Sequence, residues 1–117
     1  MTERERLEID LDSIKLVYQT QYKEFKEKLS KEKYPYQKGF TRLECFATDL
    51  DNFYWATKEC IIRAERSGVT YNKDELLERL KDYTDKFLKF YKQEKDKVDK
   101  KVLKKIQGLD YIKTIIY

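Results

Sequence analysis

The chain has 117 residues, enough for one hydrophobic core but too few for two, so we expect a single domain over residues 1–117. Its composition is 41% charged and 40% hydrophobic with three glycines and one proline, which favours long amphipathic helices, and its aromatic content of 15% argues against disorder. The net charge of +4 is a mild basic excess, too small to indicate a protein that wraps nucleic acid.

The first predicted helix begins at a capping box. Thr2 and Glu5 have the spacing at which a small polar side chain and a Glu cap each other's backbone N–H groups. Apolar residues then recur at steps of three and four, which predicts a helix from about Thr2 to Glu32. Pro35 and Gly39 break the pattern and indicate a loop.

The second predicted helix has the most regular pattern. It follows the capping box of Thr41 and Glu44, runs from Arg42 to about Arg66, and precedes Gly68, which suits a C-terminal cap. Heptad spacing is what the core of a helical bundle requires, so we interpret its apolar stripe as core packing. The stripe consists of Leu43, Phe46, Leu50, Phe53, Thr57, Cys60 and Ala64.

The third predicted helix begins just after Asn72, which forms a capping pattern with Glu75. Its apolar stripe thins through residues 92–97 and then resumes. The pattern therefore leaves two alternatives, one helix of about 34 residues or two helices with a break near Asp96. The tail, residues 111–117, is rich in β-branched residues and could form a short fourth helical segment.

These elements predict an all-α fold, an up-down-up antiparallel bundle of three long helices. Short connections between amphipathic helices make sequence neighbours pack side by side. The first and third helices then run parallel, and their carboxyl ends meet at the pole that carries the first loop.

Enzymatic and metal chemistry is not indicated. The chain has no His, which removes the commonest general base and most zinc sites. Cys45 and Cys60 lie on one predicted helix about 22 Å apart, too far to form a disulfide or share a metal. Asp49, Asp51 and Asn52 superficially resemble a calcium loop, but their mid-helix position and missing glycine indicate solvated helix surface. We expect no enzyme activity, no cofactor, no metal and no small-molecule substrate.

No membrane or export segment is predicted. The N-terminus lacks a positively charged start followed by an apolar run, and no apolar stretch approaches the ~18 residues of a membrane span. We therefore expect a soluble, cytoplasmic protein without a membrane partner.

Four apolar residues fall opposite the predicted core seams. Ile9 and Leu16 are seven residues apart on the first helix, as are Trp55 and Ile62 on the second. Because the helices are antiparallel, the four could form one apolar patch, and such patches mark protein interfaces. We interpret them as a contact for another protein or a second copy. The alternatives are a different helix register, or cover by a tail that contains Tyr111, Ile112, Ile115 and Ile116.

The opposite pole combines basic and aromatic residues, the pairing that single-stranded nucleic acid requires. Two simpler explanations stay open, because cations are favoured at helix C-termini and loop aromatics can plug the end of a bundle. The candidate residues are Lys31, Lys33, Tyr34, Tyr36, Lys38, Phe40 and Arg42, with Lys100, Lys101, Lys104 and Lys105 as an extension.

The leading interpretation is a non-enzymatic helical interaction module, a small adaptor or complex subunit that self-associates as a homo-oligomer. The alternative is a nucleic-acid-binding accessory protein that binds single-stranded DNA or RNA at the basic pole. Residues 1–14 carry five acidic and two basic residues, so the end of the bundle opposite the basic pole is acidic. The two interpretations are compatible, because a dimer joined at this acidic end could present two basic poles.

Overall fold

The three long predicted helices are present in the computed structural model, which describes residues 1–116. Tyr117, the last residue of the predicted tail, lies outside this range. The described part contains no strand, which confirms the all-α prediction. None of its helices combines the length and apolarity needed to cross a membrane. The helices are α1 Glu3–Leu29, α2 Arg42–Ser67, α3 Lys73–Glu94, α4 Lys100–Gln107 and α5 Ile112–Ile115.

The predicted caps are formed. Thr41 Oγ1 accepts the Glu44 backbone N–H at 3.1 Å, and Glu44 Oε1 accepts the Thr41 backbone N–H at 3.0 Å. Thr2 and Asn72 each accept the N–H three residues later, at the starts of α1 and α3. Gly68 ends α2 with φ +69°, a left-handed conformation that glycine adopts without steric cost.

α2 is the central helix, with α1 and α3 antiparallel to it. At one end, Cys60 Sγ lies 3.8 Å from the carbonyl oxygen of Ile14, so late α2 meets early α1. At the other end, the rings of Phe46 and Phe25 are 5.8 Å apart. Phe46 also contacts α3 through the ring of Phe87, at 5.4 Å. The up-down-up order is therefore confirmed.

Aromatic rings fill the middle of the bundle. Phe53 is fully buried, with ring centroids of Tyr18, Tyr22, Phe25 and Tyr83 at 5.3, 6.1, 5.8 and 5.3 Å. No Cα of α1 lies within 8 Å of a Cα of α3 in residues 1–116. The two outer helices therefore meet through these large side chains.

The third apolar stripe is divided between two helices. α3 ends at Glu94, and Asp99 caps α4 by accepting the Lys101 N–H at 2.8 Å. Gln107 Nε2 donates to the hydroxyl of Tyr91 on α3 at 3.3 Å, while the backbone of α4 packs against α2, so α4 folds back over both helices. Of the two alternatives from the sequence, two helices with a break is therefore the observed one.

The C-terminal segment closes the junction between α2 and α3. Ile112 is fully buried, and the ring of Tyr111 stacks on Tyr54 at 4.1 Å. The Tyr111 backbone N–H donates to Asp51 Oδ1 at 2.8 Å, and its hydroxyl pairs with Thr84 Oγ1 at 2.8 Å. Asp51 is thus an anchor for this segment, and its interpretation as solvated surface was wrong.

α1 ends earlier than its apolar pattern indicates. The predicted end was Glu32, but the last helical residue is Leu29 and Ser30 is the C-cap. The chain turns here because Tyr34 packs back into the core, where its ring stacks on Phe46 at 4.5 Å. A helix continued to Glu32 would carry Tyr34 away from that contact.

Candidate functional site

A groove of about 900 Å³ opens at the pole where α1 and α3 end, and we call it the basic groove. The end of α1 and the loop of residues 30–41 line one side, and the C-terminal half of α3 lines the other. Its cations are Lys28, Lys31, Lys33, Arg42, Lys86, Lys89 and Lys97.

The groove carries a positive charge. Seven cations and only two carboxylates, Glu32 and Glu94, lie among its described lining residues. Lys31, Lys33 and Lys89 have no ion-pair partner within residues 1–116. Because these ammonium groups are exposed, they can neutralise the phosphates of a bound polyanion.

Two exposed rings stand at the edge of the groove. The side chain of Tyr36 is 57% exposed and that of Phe40 is 45% exposed. The Arg42 guanidinium lies 4.6 Å from the centre of the Tyr36 ring, and Lys105 Nζ lies 4.9 Å from the centre of the Phe40 ring. The Tyr36 ring therefore has a groove cation beside it, so base stacking and phosphate neutralisation can occur next to each other at this point.

Tyr34 does not share this exposed position, and the prediction that it stacks on bases was wrong. It is only 6% exposed, with its ring against Phe25 and Phe46. Its hydroxyl donates to the carboxylate of Asp49, which also accepts from Lys28 Nζ at 3.0 Å. Burial and the hydrogen bond to Asp49 raise the pKa of Tyr34, so the hydroxyl remains a donor. Asp49 is thus half-buried and paired, contrary to its interpretation as solvated surface.

The predicted extension of the groove by α4 is also wrong. Because α4 folds back onto α2, only Lys105 of the four predicted lysines reaches the loop, where its Nζ lies 4.9 Å from the centre of the Phe40 ring; it also lies 3.4 Å from Glu44 Oε2 in the first turn of α2. Burial tends to raise the pKa of Glu44, but hydrogen bonds from Thr41 and Lys105 outweigh it and the pKa is lowered. Four predicted contact residues are exposed and do not line the groove: Lys38, Lys100, Lys101 and Lys104.

The sequence interpretation missed the α3 side of the groove. Lys86, Lys89, Phe90 and Lys97 line it, together with Gln93. Lys86, Lys89, Phe90 and Gln93 lie three or four residues apart along α3, which was a usable signal for one shared face, and Lys97 follows in the turn after Glu94. What the sequence did not indicate is that the break after Glu94 leaves this face uncovered.

A second cavity of about 270 Å³ lies under the same loop, and we call it the loop cavity. It shares Lys28, Tyr36 and Phe40 with the basic groove. Its remaining lining residues come from the loop, α2 and α4: Pro35, Gln37, Glu44, Cys45, Thr48, Asp49 and Lys105.

Three of the four predicted interface residues are large apolar side chains in solvent. Ile9 is 53% exposed, Leu16 66% and Trp55 49%, whereas Ile62 is half-buried. Within residues 1–116, the C-terminal segment packs on α2 and α3 and leaves the first three exposed. The alternative in which the tail covers them is therefore not observed.

Charged side chains separate the two halves of the predicted patch. Arg63 joins α2 to α1 through Asp10 at 3.3 Å, and it also pairs with Glu59 at 3.4 Å. At 100° per residue, Trp55 and Ile62 lie about 80° to 100° around α2 from Arg63, on the side away from α1. The four residues therefore form two outer faces, one on α1 and one on α2.

Within residues 1–116, no group of three or more side chains is placed to hold a metal ion. Comparisons with protein-family models, with curated proteins and with solved structures find no match to this chain.

Proposed function

We propose that this protein is a non-enzymatic binding module that holds single-stranded nucleic acid in the basic groove. The observation that carries the proposal is the position of two exposed rings, Tyr36 and Phe40, beside seven groove cations. Cations release counterions when they neutralise phosphates, and exposed rings provide surfaces on which unpaired bases stack. Single strands should bind better than duplex, because paired bases do not present their faces to a protein.

The proposed interaction depends strongly on salt. Most groove cations are exposed ammonium groups, which contact phosphates without a fixed hydrogen-bond geometry. For single strands, each neutralised phosphate contributes about 0.7 to the slope of log K against log salt concentration. Affinity should therefore be weak at physiological salt and should rise steeply as salt is lowered.

Fluorescence anisotropy with a labelled strand of about 20 nucleotides tests this proposal at several salt concentrations. Lys89→Ala should weaken binding and reduce the slope by about 0.7, since this ammonium group lines the groove. Lys81→Ala is the matched control, because Lys81 is exposed on α3 two turns earlier and does not line the groove. Equal effects of the two variants would indicate nonspecific attraction to a basic protein.

The stacking contribution is tested separately. Tyr36→Ala should lose about 1 to 3 kcal/mol of binding free energy with little change in the salt slope, because it removes a ring and no charge. The absence of single-strand binding at low salt, or equal binding of duplex, would contradict the proposal.

We also propose a second function, pairing with a second copy of this chain through the outer faces. It is supported by the exposed apolar pair Ile9 and Leu16 on one face of α1, and by the exposed Trp55 on α2, since tryptophan is enriched at the energetic centres of protein interfaces. Leu16→Glu or Trp55→Ala, whichever alters the face that is used, should lower the mass measured by light scattering while the circular dichroism spectrum stays helical. Because the faces are separate, either variant alone would identify the face that is used. A monomeric parent protein at high concentration would exclude self-association.

We place both activities in the cytoplasm. Cys45 and Cys60 are free thiols, which suits a reducing compartment. Detection of the protein in cytosolic fractions, with both thiols reduced, would test this assignment.

A further inference from the structure

We infer that the loop cavity is a pocket for one unpaired base of the strand in the basic groove, and that it selects cytosine over thymine or uracil. The inference rests on the proposed function, because the strand must first occupy the groove. It adds a base preference that the groove alone, with cations and stacking rings, does not provide.

The position of the cavity supports a continuous path for the strand. Tyr36, Phe40 and Lys28 line both cavities, so the loop side chains form a shared wall between them. A strand whose phosphates lie along the groove passes this wall, and one of its bases can rotate across the wall into the loop cavity. The volume of about 270 Å³ lies just below the range of about 300 to 1,000 Å³ that is typical of small-molecule sites. That size suits a single base better than a longer segment.

The cavity differs from the groove in its charge. Two carboxylates, Glu44 and Asp49, lie among its described lining residues beside two lysines, Lys28 and Lys105. Each of these lysines already pairs with one of the carboxylates, at 3.0 Å and 3.4 Å. Because the lysines are already paired, no net positive charge attracts a phosphate here, and the two carboxylates repel it. A neutral base is not repelled by these carboxylates. The loop cavity is therefore suited to a base and the groove to the backbone.

The available acceptors favour an amino group. Asp49 uses Oδ2 for Lys28 and Tyr34, and its Oδ1 has no hydrogen-bond partner within residues 1–116. Hydrogen bonds from Thr41 and Lys105 keep Glu44 ionised, so it too can only accept.

These acceptors distinguish cytosine from thymine and uracil. Cytosine presents its N4 amino group as a donor, and carboxylate side chains are its usual partners in proteins. Thymine and uracil present a carbonyl oxygen at the same position, where it would meet another acceptor. Thr48 and Gln37 carry groups that can either donate or accept, so they can bind the remaining edge of either base.

The test compares labelled oligo-dC and oligo-dT of about 20 nucleotides by anisotropy, at one salt concentration and slightly alkaline pH. The two probes have the same length, charge and ring size, and they differ at the base edge, where cytosine has an N4 amino group and thymine has an O4 carbonyl and a C5 methyl group. Oligo-dU, which lacks the methyl group, isolates the exchange of the amino group for the carbonyl. We expect oligo-dC to bind about threefold to tenfold more tightly, the effect of one or two net hydrogen bonds.

Two variants assign the preference to the cavity. Glu44→Gln retains a residue compatible with the capping box but replaces an acceptor with an amide that can also donate, so the dC to dT ratio should fall towards one. Thr48→Val removes a hydroxyl from an exposed residue of similar shape and should also reduce the ratio. Asn52→Ala, one turn further along α2 and outside the cavity, should leave the ratio unchanged.

The outcomes separate the two proposals. If neither probe binds at low salt, the proposed function fails and the base pocket fails with it. If both probes bind equally, or if the preference is unchanged in Glu44→Gln and Thr48→Val, the groove remains a binding site and the base pocket is refuted. A preference for dC that both variants reduce and Asn52→Ala retains supports the pocket.

Discussion

Truncation of Phe53 is the sharpest test of the core. Its side chain is fully buried, and four aromatic rings have centroids within 6.1 Å of its own. A buried phenylalanine removes about 150 to 250 Å² from water, which at about 25 cal/mol per Å² corresponds to roughly 4 to 6 kcal/mol. Alanine keeps part of this burial and leaves a cavity, so Phe53→Ala should cost about 3 to 5 kcal/mol.

Urea denaturation followed by circular dichroism measures this loss, and Phe40→Ala is the matched control. Phe40 undergoes the same chemical change in a half-exposed loop position, so it should cost less than about 1 kcal/mol. Phe40→Ala should instead weaken single-strand binding, which Phe53 does not contact. With an m-value of about 1 to 3 kcal/mol per M, a loss of about 4 kcal/mol lowers the urea midpoint by more than about 1 M. Similar costs for the two variants would refute the burial argument.

Three further predictions concern the thiols, the C-terminal segment and the α2 cap. Burial raises the pKa of Cys60 to about 11, so iodoacetamide near pH 8 should modify Cys45 first, as mass mapping would reveal; faster modification of Cys60 would contradict its burial. In urea denaturation, Ile112→Ala should lower the free energy of unfolding by about 2 to 5 kcal/mol, whereas Lys113→Ala, at an exposed position, should change it by about zero. Equal effects of the two variants would contradict the packing of this segment in the core. Because the pKa of Glu44 is lowered in the folded state, its carboxylate stabilises the fold fully above about pH 4.3, and this stabilisation is lost as the pH falls through the folded pKa. Glu44→Gln should therefore be less stable than the parent at neutral pH, and the difference in stability should shrink at low pH.

The core of α2 could be predicted residue by residue. All seven positions of its predicted stripe, from Leu43 to Ala64, are buried. The prediction was correct because a helix that packs against its neighbours must repeat its apolar residues at steps of three and four. The capping box at Thr41 also indicated where the helix begins. The caps were equally readable, since each depends on residues only three positions apart.

The two loop tyrosines show where sequence interpretation failed. Tyr34 and Tyr36 flank Pro35 in the same loop, yet one is buried and the other exposed. The difference depends on Phe46 and Asp49, which stack on Tyr34 and accept its hydroxyl from α2. No pattern within the loop encodes that contact, because its partners lie 12 and 15 residues further along the chain.

The course of the C-terminal segment depends on one feature that is readable in the local sequence and on contacts with residues far away in the chain. Asp99 is a favourable N-cap residue and could have indicated a new helix after the charged run. The direction of that helix depends on contacts of Tyr111 with Asp51 and Tyr54, which only the folded chain brings together. The predicted lysine extension of the groove failed for this reason.

The buried Tyr34 and the exposed rings beside it are parts of one arrangement. Tyr34 holds the loop against α2 through Phe46 and the carboxylate of Asp49, which Lys28 also holds. The backbone at Tyr36 is therefore already fixed before binding, so less conformational entropy is lost when a base stacks on the Tyr36 ring. The same anchor keeps the loop between the basic groove and the loop cavity. In our proposal, Tyr34 therefore supports nucleic-acid binding indirectly. It lies in the core and fixes the position of the side chains that make the contact.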